Sequence, residues 1–213
     1  MITIFKNIFS KEPHYITVEQ ALERIRTGKS KKQVLEIRQA IDKERANELK
    51  KNLPSVCFSG KFGNNRKDEE LIEHSGFIVL DFDLVSDCDG KKLSLAKEPF
   101  VKAVWISPSG NGVKALVKIA DGSKHKEHFQ ALQDLFPEVD KSGINVSRVC
   151  YESYDEQIII NEAVKPFKTI KKTEVSKVTE ALNSNNEVFN NILKWLSNRG
   201  DAFRTGERNL FLY

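Results

Sequence analysis

An α+β domain with a mostly antiparallel sheet and flanking helices is the fold this sequence predicts, with a small helical segment behind it. Three observations predict it. Short β-branched and aromatic runs recur between residues 55 and 160, each bounded by Gly, Pro, Asn or Ser. Stretches with apolar residues at helical spacing lie among them. Two of the runs, at 101–106 and 113–119, flank the turn Ser107-Pro108-Ser109-Gly110-Asn111-Gly112 and so read as a hairpin. Helices mixed with antiparallel pairs point to an α+β architecture.

The elements follow in order. Residues 1–53 read as mostly helical after a short opening strand. Thr17 is a candidate N-cap for apolar positions Val18, Ala21, Leu22 and Ile25, and Gly28 ends that helix. A second helix is expected from Lys31 to about Lys51, with Val34, Ile37, Ile41 and Leu49 as its apolar positions. From Pro54 the texture changes. Residues 55–58 read as a strand and 59–66 as a Gly/Asn-rich basic loop. Residues 68–74 read as a short helix, and 77–83 as a buried strand. After the central hairpin come a helix over 123–135 and two strands, 148–151 and 157–160, which read as a second hairpin. The domain is expected to span 1–163. A linker with Pro166 and several lysines follows over 164–175, then a helical segment over 176–213. The last residues, Phe211-Leu212-Tyr213, fall inside an apolar run, so the chain is expected to be a fragment of a longer protein.

Composition narrows the class. The 213 residues are 30% charged and 39% hydrophobic, which suits a globular protein. No apolar run approaches the ~20 residues of a membrane span, so no membrane partner is expected. The first residues lack a signal-peptide core, and a cytoplasmic location is expected. Cys57, Cys88 and Cys150 are scattered and odd in number, which argues for free thiols rather than a disulfide framework or a structural zinc site. His125 and His128 read as part of a lysine-rich solvated face. A net charge of +4 is compatible with a nucleic-acid partner.

The most informative stretch is Phe77-Ile78-Val79-Leu80-Asp81-Phe82-Asp83. Side chains at i and i+2 of a strand leave the same face, so Asp81 and Asp83 project together from a hydrophobic strand. Two carboxylates that close repel unless a cation sits between them. Mg²⁺ or Mn²⁺, with one or two carboxylates and substrate phosphates, is the expected occupant. The turn residues Ser107, Ser109, Gly110 and Gly112 offer hydroxyls and backbone N–H groups to an anion, and Lys114 follows on the returning strand. Asp140 is a third candidate carboxylate, and Arg148 a candidate phosphate contact. Lys61 and Arg66, on the loop with Phe58 and Phe62, are candidates for gripping nucleic acid by charge and stacking. Each feature alone also has a plain structural reading: a capped turn, a hairpin turn, a surface arginine, two core phenylalanines.

In combination these motifs resemble the archaeo-eukaryotic primase superfamily and, more narrowly, the VirE N-terminal domain family. The narrower likeness rests on Leu53-Pro54, Phe58-Ser59-Gly60-Lys61-Phe62, His74-Ser75-Gly76, Leu80-Asp81-Phe82-Asp83, the 107–114 turn and strand, Ser147-Arg148-Val149-Cys150-Tyr151 and Ser153-Tyr154-Asp155. It covers about residues 50–165. The resemblance implies a primase-polymerase fold with an RRM-like core and metals on Asp81, Asp83 and Asp140. It further implies a nucleoside triphosphate on Lys114, Ser107, Ser109, Gly110, Gly112 and Arg148, and a single-stranded DNA template. It implies a mobile-element or prophage replication protein, working with a helicase or ATPase domain. Phe203-Arg204-Thr205-Gly206-Glu207-Arg208-Asn209 resembles the start of a primase C-terminal segment. Where the wider superfamily usually has histidine this chain has Lys114, which holds a phosphate but cannot accept a hydrogen bond when protonated.

Three functions therefore stand as expectations. The first is metal-dependent nucleotidyl transfer. The second is a catalytically inactive module that binds DNA ahead of a helicase. The third is a metal-dependent nuclease, disfavoured because no lysine follows Asp81 and Asp83 on their own strand.

Overall fold

The computed structural model describes residues 1–171 and, beyond them, Glu187, Val188, Asn190, Asn191, Lys194 and Trp195, which are helical. The chain divides into two units, Met1–Lys171 and Lys172–Tyr213. Most of the helical segment expected over 176–213, including its final stretch from Gly200, lies outside the described residues.

Strand β1 (Ile2–Phe5) pairs antiparallel with β2 (His14–Ile16). Thr17 caps α1 (Val18–Thr27) through a reciprocal capping box with Gln20. Gly28 closes that helix at φ 74°, a left-handed geometry that glycine adopts without Cβ strain. Helices α2 (Lys31–Arg38) and α3 (Lys43–Lys50) follow. The sequence reads them as one. They are two because the Asp42 carboxylate accepts the Arg45 N–H at 2.8 Å and starts a new helix. Ile41, expected on the apolar face, is 99% exposed in the break.

Next come β3 (Ser55–Cys57), β4 (Gly60–Phe62), β5 (Leu71–His74) and β6 (Phe77–Phe82). The helix expected over 68–74 reduces to a single 3-10 turn, Asp68–Glu70. Leu71–His74 instead pairs with β4, where Leu71 packs against the cluster of Phe5, Cys57 and Phe62. Partial burial of that leucine overrides a local helical preference. Helix α4 (Cys88–Leu95), the hairpin β7 (Val101–Ile106) and β8 (Val113–Lys118), and α5 (His125–Leu135) follow as read.

The last strands, β9 (Cys150–Tyr151) and β10 (Ile159–Ile160), do not pair with each other as a second hairpin. β9 joins β3 and β10 joins β7, in different sheets. Between them the Asp155 carboxylate accepts the Ile106 N–H at 2.9 Å and the Lys92 ammonium at 2.6 Å. Those bonds pull the chain across.

Two four-stranded antiparallel sheets result, ordered β2-β1-β3-β9 and β10-β7-β8-β6. One face of the second sheet buries Ile78, Leu80, Phe82, Val113, Ala115 and Val117 against α4 and α5. Its other face puts Trp105 and Leu116 against α1 and the first sheet. Coverage on both faces explains why β7 and β8 read as nearly continuous apolar runs. Residues 164–171, read from sequence as the start of a linker, run along this unit. Phe167 bridges to Ile119, and the Lys171 N–H donates to Glu127 at 3.0 Å. Among the described residues no helix is long and apolar enough to cross a membrane.

Candidate functional site

In β6 the residues alternate. Ile78, Leu80 and Phe82 face the helices, which leaves Phe77, Val79 and Asp81 facing the first sheet. The register of β6 with β8 puts Lys114 directly opposite Asp81, so both side chains share that face. Lys114 donates to Asp81 Oδ2 in a short ion pair, with the two side chains only 10% and 22% exposed. The other oxygen, Asp81 Oδ1, is buried and has no hydrogen-bond partner among the described residues.

Over this pair lies the loop from Asp140 to Val149. The Asp140 N–H donates to the Asp81 carbonyl at 2.8 Å, which seats one aspartate beside the other. The Asp140 carboxylate accepts the Ser142 hydroxyl at 2.6 Å and Arg148 Nη2 at 3.3 Å. Burial opposes its ionisation, but the Ser142 bonds, Arg148 and Lys114 hold its pKa below the usual aspartate value. Burial likewise works against the Lys114 charge, yet the Asp81 and Asp83 carboxylates outweigh it and raise that pKa. The Cys150 thiol beneath is pushed up to about 11 by burial and stays protonated. Asp81, Lys114, Asn145, Ser147, Arg148 and Tyr151 line an open cleft of about 370 Å³.

The structure thus brings Asp81, Lys114, Asp140 and Arg148 together. Asp83 lies just past the end of β6 and is exposed; Leu84 after it turns the chain at φ 53°. Lys50 of α3, which the sequence reading passed over, feels the Asp83, Lys114 and Asp81 charges, while burial lowers its pKa. No spacing signal could have found it, because the helix packing brings it there.

The turn residues sit at the same end of the sheet, and the N–H groups of Ser107 and Gly110 are already bonded within the turn. The Ser107 N–H donates to Gly112 at 2.8 Å, the Gly110 N–H donates to Ser107 at 3.0 Å, and Arg38 Nη2 caps the Ser107 carbonyl at 3.2 Å. Gly112 passes so close to the Phe82 carbonyl that a Cβ would lie 2.7 Å from it. Ser109 is half-buried in the turn. Lys61 stacks over Tyr15, and Arg66 stacks over Phe5 while donating to the Ser10 carbonyl at 2.7 Å. Phe58 and Phe62 are core residues, at 1% and 0% exposure.

His125 and His128 are not on a solvated face; they are 6% and 1% exposed. Contacts distant in sequence bury them: His125 packs against His74, and His128 hydrogen-bonds the Thr169 carbonyl at 2.8 Å.

Among the described residues no group of three or more His, Cys, Asp or Glu side chains is placed to hold a metal ion. Of the three carboxylates expected to share metal, Asp81 and Asp140 adjoin through the main chain, and Asp83 is exposed beyond the end of β6. What Asp81 and Asp140 can offer is narrower: one unpartnered buried oxygen and a neighbouring carboxylate. That set fits a single hard cation whose remaining ligands come from a bound phosphate or water.

The family model described as BT4734-like, N-terminal domain matches residues 48–159. That match replaces the VirE N-terminal resemblance, and it carries no link to the primase-polymerase superfamily. No curated protein and no solved structure matches the chain.

Proposed function

For a chain that belongs to the BT4734-like N-terminal domain family, we propose that the cleft binds the phosphate chain of a nucleotide together with one Mg²⁺ or Mn²⁺. One observation carries this reading. Asp81, Lys114 and Arg148 line one cleft, and Asp140 adjoins it, ion-paired to Arg148 and bonded through its N–H to the Asp81 carbonyl, so two opposite-charge pairs lie side by side. A cation–phosphate complex is the electrical complement of such a quartet. The cation takes the carboxylates and the phosphates take the ammonium and the guanidinium. Without ligand, the pairs neutralise each other and make the buried charges tolerable.

The Asp81–Lys114 pair also favours a second reading, the one in which the module holds nucleic-acid or nucleotide phosphates without chemistry. Lys114 already occupies one oxygen of the carboxylate that a nucleotidyl transferase would give wholly to metal. Titration calorimetry of Mn²⁺ with a non-hydrolysable nucleoside triphosphate tests the binding. Wild type and Asp83→Asn should bind only when both components are present, and Asp81→Asn and Asp140→Asn should not. Absence of wild-type binding at millimolar metal would sink the proposal. A primer-synthesis assay on a single-stranded DNA template then separates transfer from binding.

A further inference from the structure

His74, half-buried at the end of β5, and His125, buried at the start of α5, form a relay that reaches the loop over the Asp81–Lys114 pair. The Gly76 N–H donates to His74 Nδ1 at 2.9 Å, so the neutral His74 ring carries its proton on Nε2. That Nε2 lies 3.0 Å from His125 Nδ1, which accepts. The His125 proton is then on Nε2, 3.3 Å from the Gly143 carbonyl. One neutral tautomer of each ring satisfies all three contacts. Protonating either ring sets two donors against each other.

Gly143 belongs to the loop over the Asp81–Lys114 pair. It lies flat on Phe129: a Cβ there would come within 2.5 Å of Phe129 Cε2 and 3.2 Å of the Val79 carbonyl. His125 pins the carbonyl of this residue. The turn from Asp140 to Gly143 is thereby held between two anchors, the Asp140 N–H bond to Asp81 at one end and His125 at the other. Ser59, bonded to the Val146 carbonyl, and Asp68, accepting the Ser147 N–H at 3.0 Å, fix the far half of the loop.

We infer that His125, backed by His74, is a positioning residue of the cleft: it sets the turn that carries Asp140 over Asp81. The inference deepens the nucleotide reading and rests on it for its functional consequence. The charged and titratable groups facing the relay are Asp68 and Lys126, which are 3.8 Å apart, together with Asp121 and His128. The carboxylates draw protons onto the rings, whereas Lys126, His128 and burial resist them.

The test uses the ¹⁵N-labelled whole chain. Long-range ¹H–¹⁵N spectra should show both rings as Nε2–H tautomers at neutral pH. His125→Phe should speed amide exchange at Gly143 and Asn145 by about tenfold or more, and weaken Mn²⁺–nucleotide binding by a similar factor. His125→Gln, which keeps a donor near the Nε2 position, should restore both to near wild type. A Nδ1–H tautomer on His125, or unchanged exchange in His125→Phe, overturns the inference. Should His125→Phe fail to fold, the wild-type tautomers and the exchange in His125→Gln decide it. Wild type that shows the tautomers and exchange pattern but binds no nucleotide supports the positioning role and overturns the nucleotide reading instead.

Discussion

Asp140 donates its backbone N–H to the carbonyl of Asp81 at 2.8 Å, so the two aspartates are joined through their main chains and not through their carboxylates. The arrangement separates scaffold from chemistry. Main-chain geometry brings the residues together, while each carboxylate is held by a cation that a ligand can displace: Lys114 for Asp81, Arg148 for Asp140.

Lys114→Met tests that exchange directly. Removing the ammonium leaves the mostly buried Asp81 carboxylate without its counter-ion, and losing one partner of such a pair costs about 3 kcal/mol. Urea unfolding should show the loss, and the double variant Asp81→Asn/Lys114→Met should recover most of it. Millimolar Mn²⁺ should stabilise Lys114→Met more than wild type, because the cation then takes the place of the lysine. A variant indifferent to Mn²⁺ would argue against any cation at Asp81.

Arg148 is the opposite case. Its side chain is 50% exposed and its contact with Asp140 is long, so Arg148→Ala should change stability by less than about 0.5 kcal/mol. Nucleotide affinity should nevertheless fall about tenfold, through loss of a charge-assisted phosphate contact. Parallel urea and calorimetric titrations measure the two quantities on the same samples.

How much of this was legible follows from which forces are local. The strand ending in Asp81 and the hairpin that returns Lys114 announce themselves by β-branched runs and a Pro/Gly turn, and their register makes the charged pair. Asp83 reads as the partner of Asp81 only while the strand continues. It ends at Phe82, and Leu84 turns the chain into the left-handed region, a reversal no leucine advertises. Leu71 reads as helical because its reason for being in a strand, the pocket formed by Phe5, Cys57 and Phe62, lies elsewhere in the chain. His125 looks solvated among lysines for the same reason: the contacts that bury it, His74 and Gly143, are remote in sequence. The cleft's roof is equally invisible, since four separate segments hold it.

The relay makes a pH prediction. Burial and the facing His125 push the His74 pKa from 6.5 down to about 4, and burial also lowers that of His125. Between those values the unfolded chain binds more protons than the folded one, so stability falls as pH drops from about 6.5 toward about 4. Asp68, Asp121 and Asp140 are held below the usual 3.8 and withdraw their contributions only at lower pH. Urea midpoints measured from about pH 7.5 to about pH 4.5 should decline, and His74→Asn should flatten the decline. An Asn at this position keeps an acceptor for the Gly76 N–H but does not titrate. An unchanged slope in that variant would mean that the relay is not the titrating element.

Leu84 sets the path of the chain just past Asp83. Among the described residues it is the one non-glycine at positive φ, 53°, and its side chain is 79% exposed, so little burial offsets its backbone strain. The left-handed region costs an L-residue roughly 1–2 kcal/mol, and glycine's extra chain entropy returns about half of that. Leu84→Gly should therefore stabilise the fold by about 0.5–1 kcal/mol in urea unfolding. The Val85 N–H still donates to the Asn111 carbonyl at 2.9 Å, which keeps the chain's path beyond Asp83. Nucleotide affinity should stay within about twofold of wild type if Leu84 is only the hinge that turns Asp83 outward. A larger loss, with stability raised, would place the exposed leucine itself against the ligand.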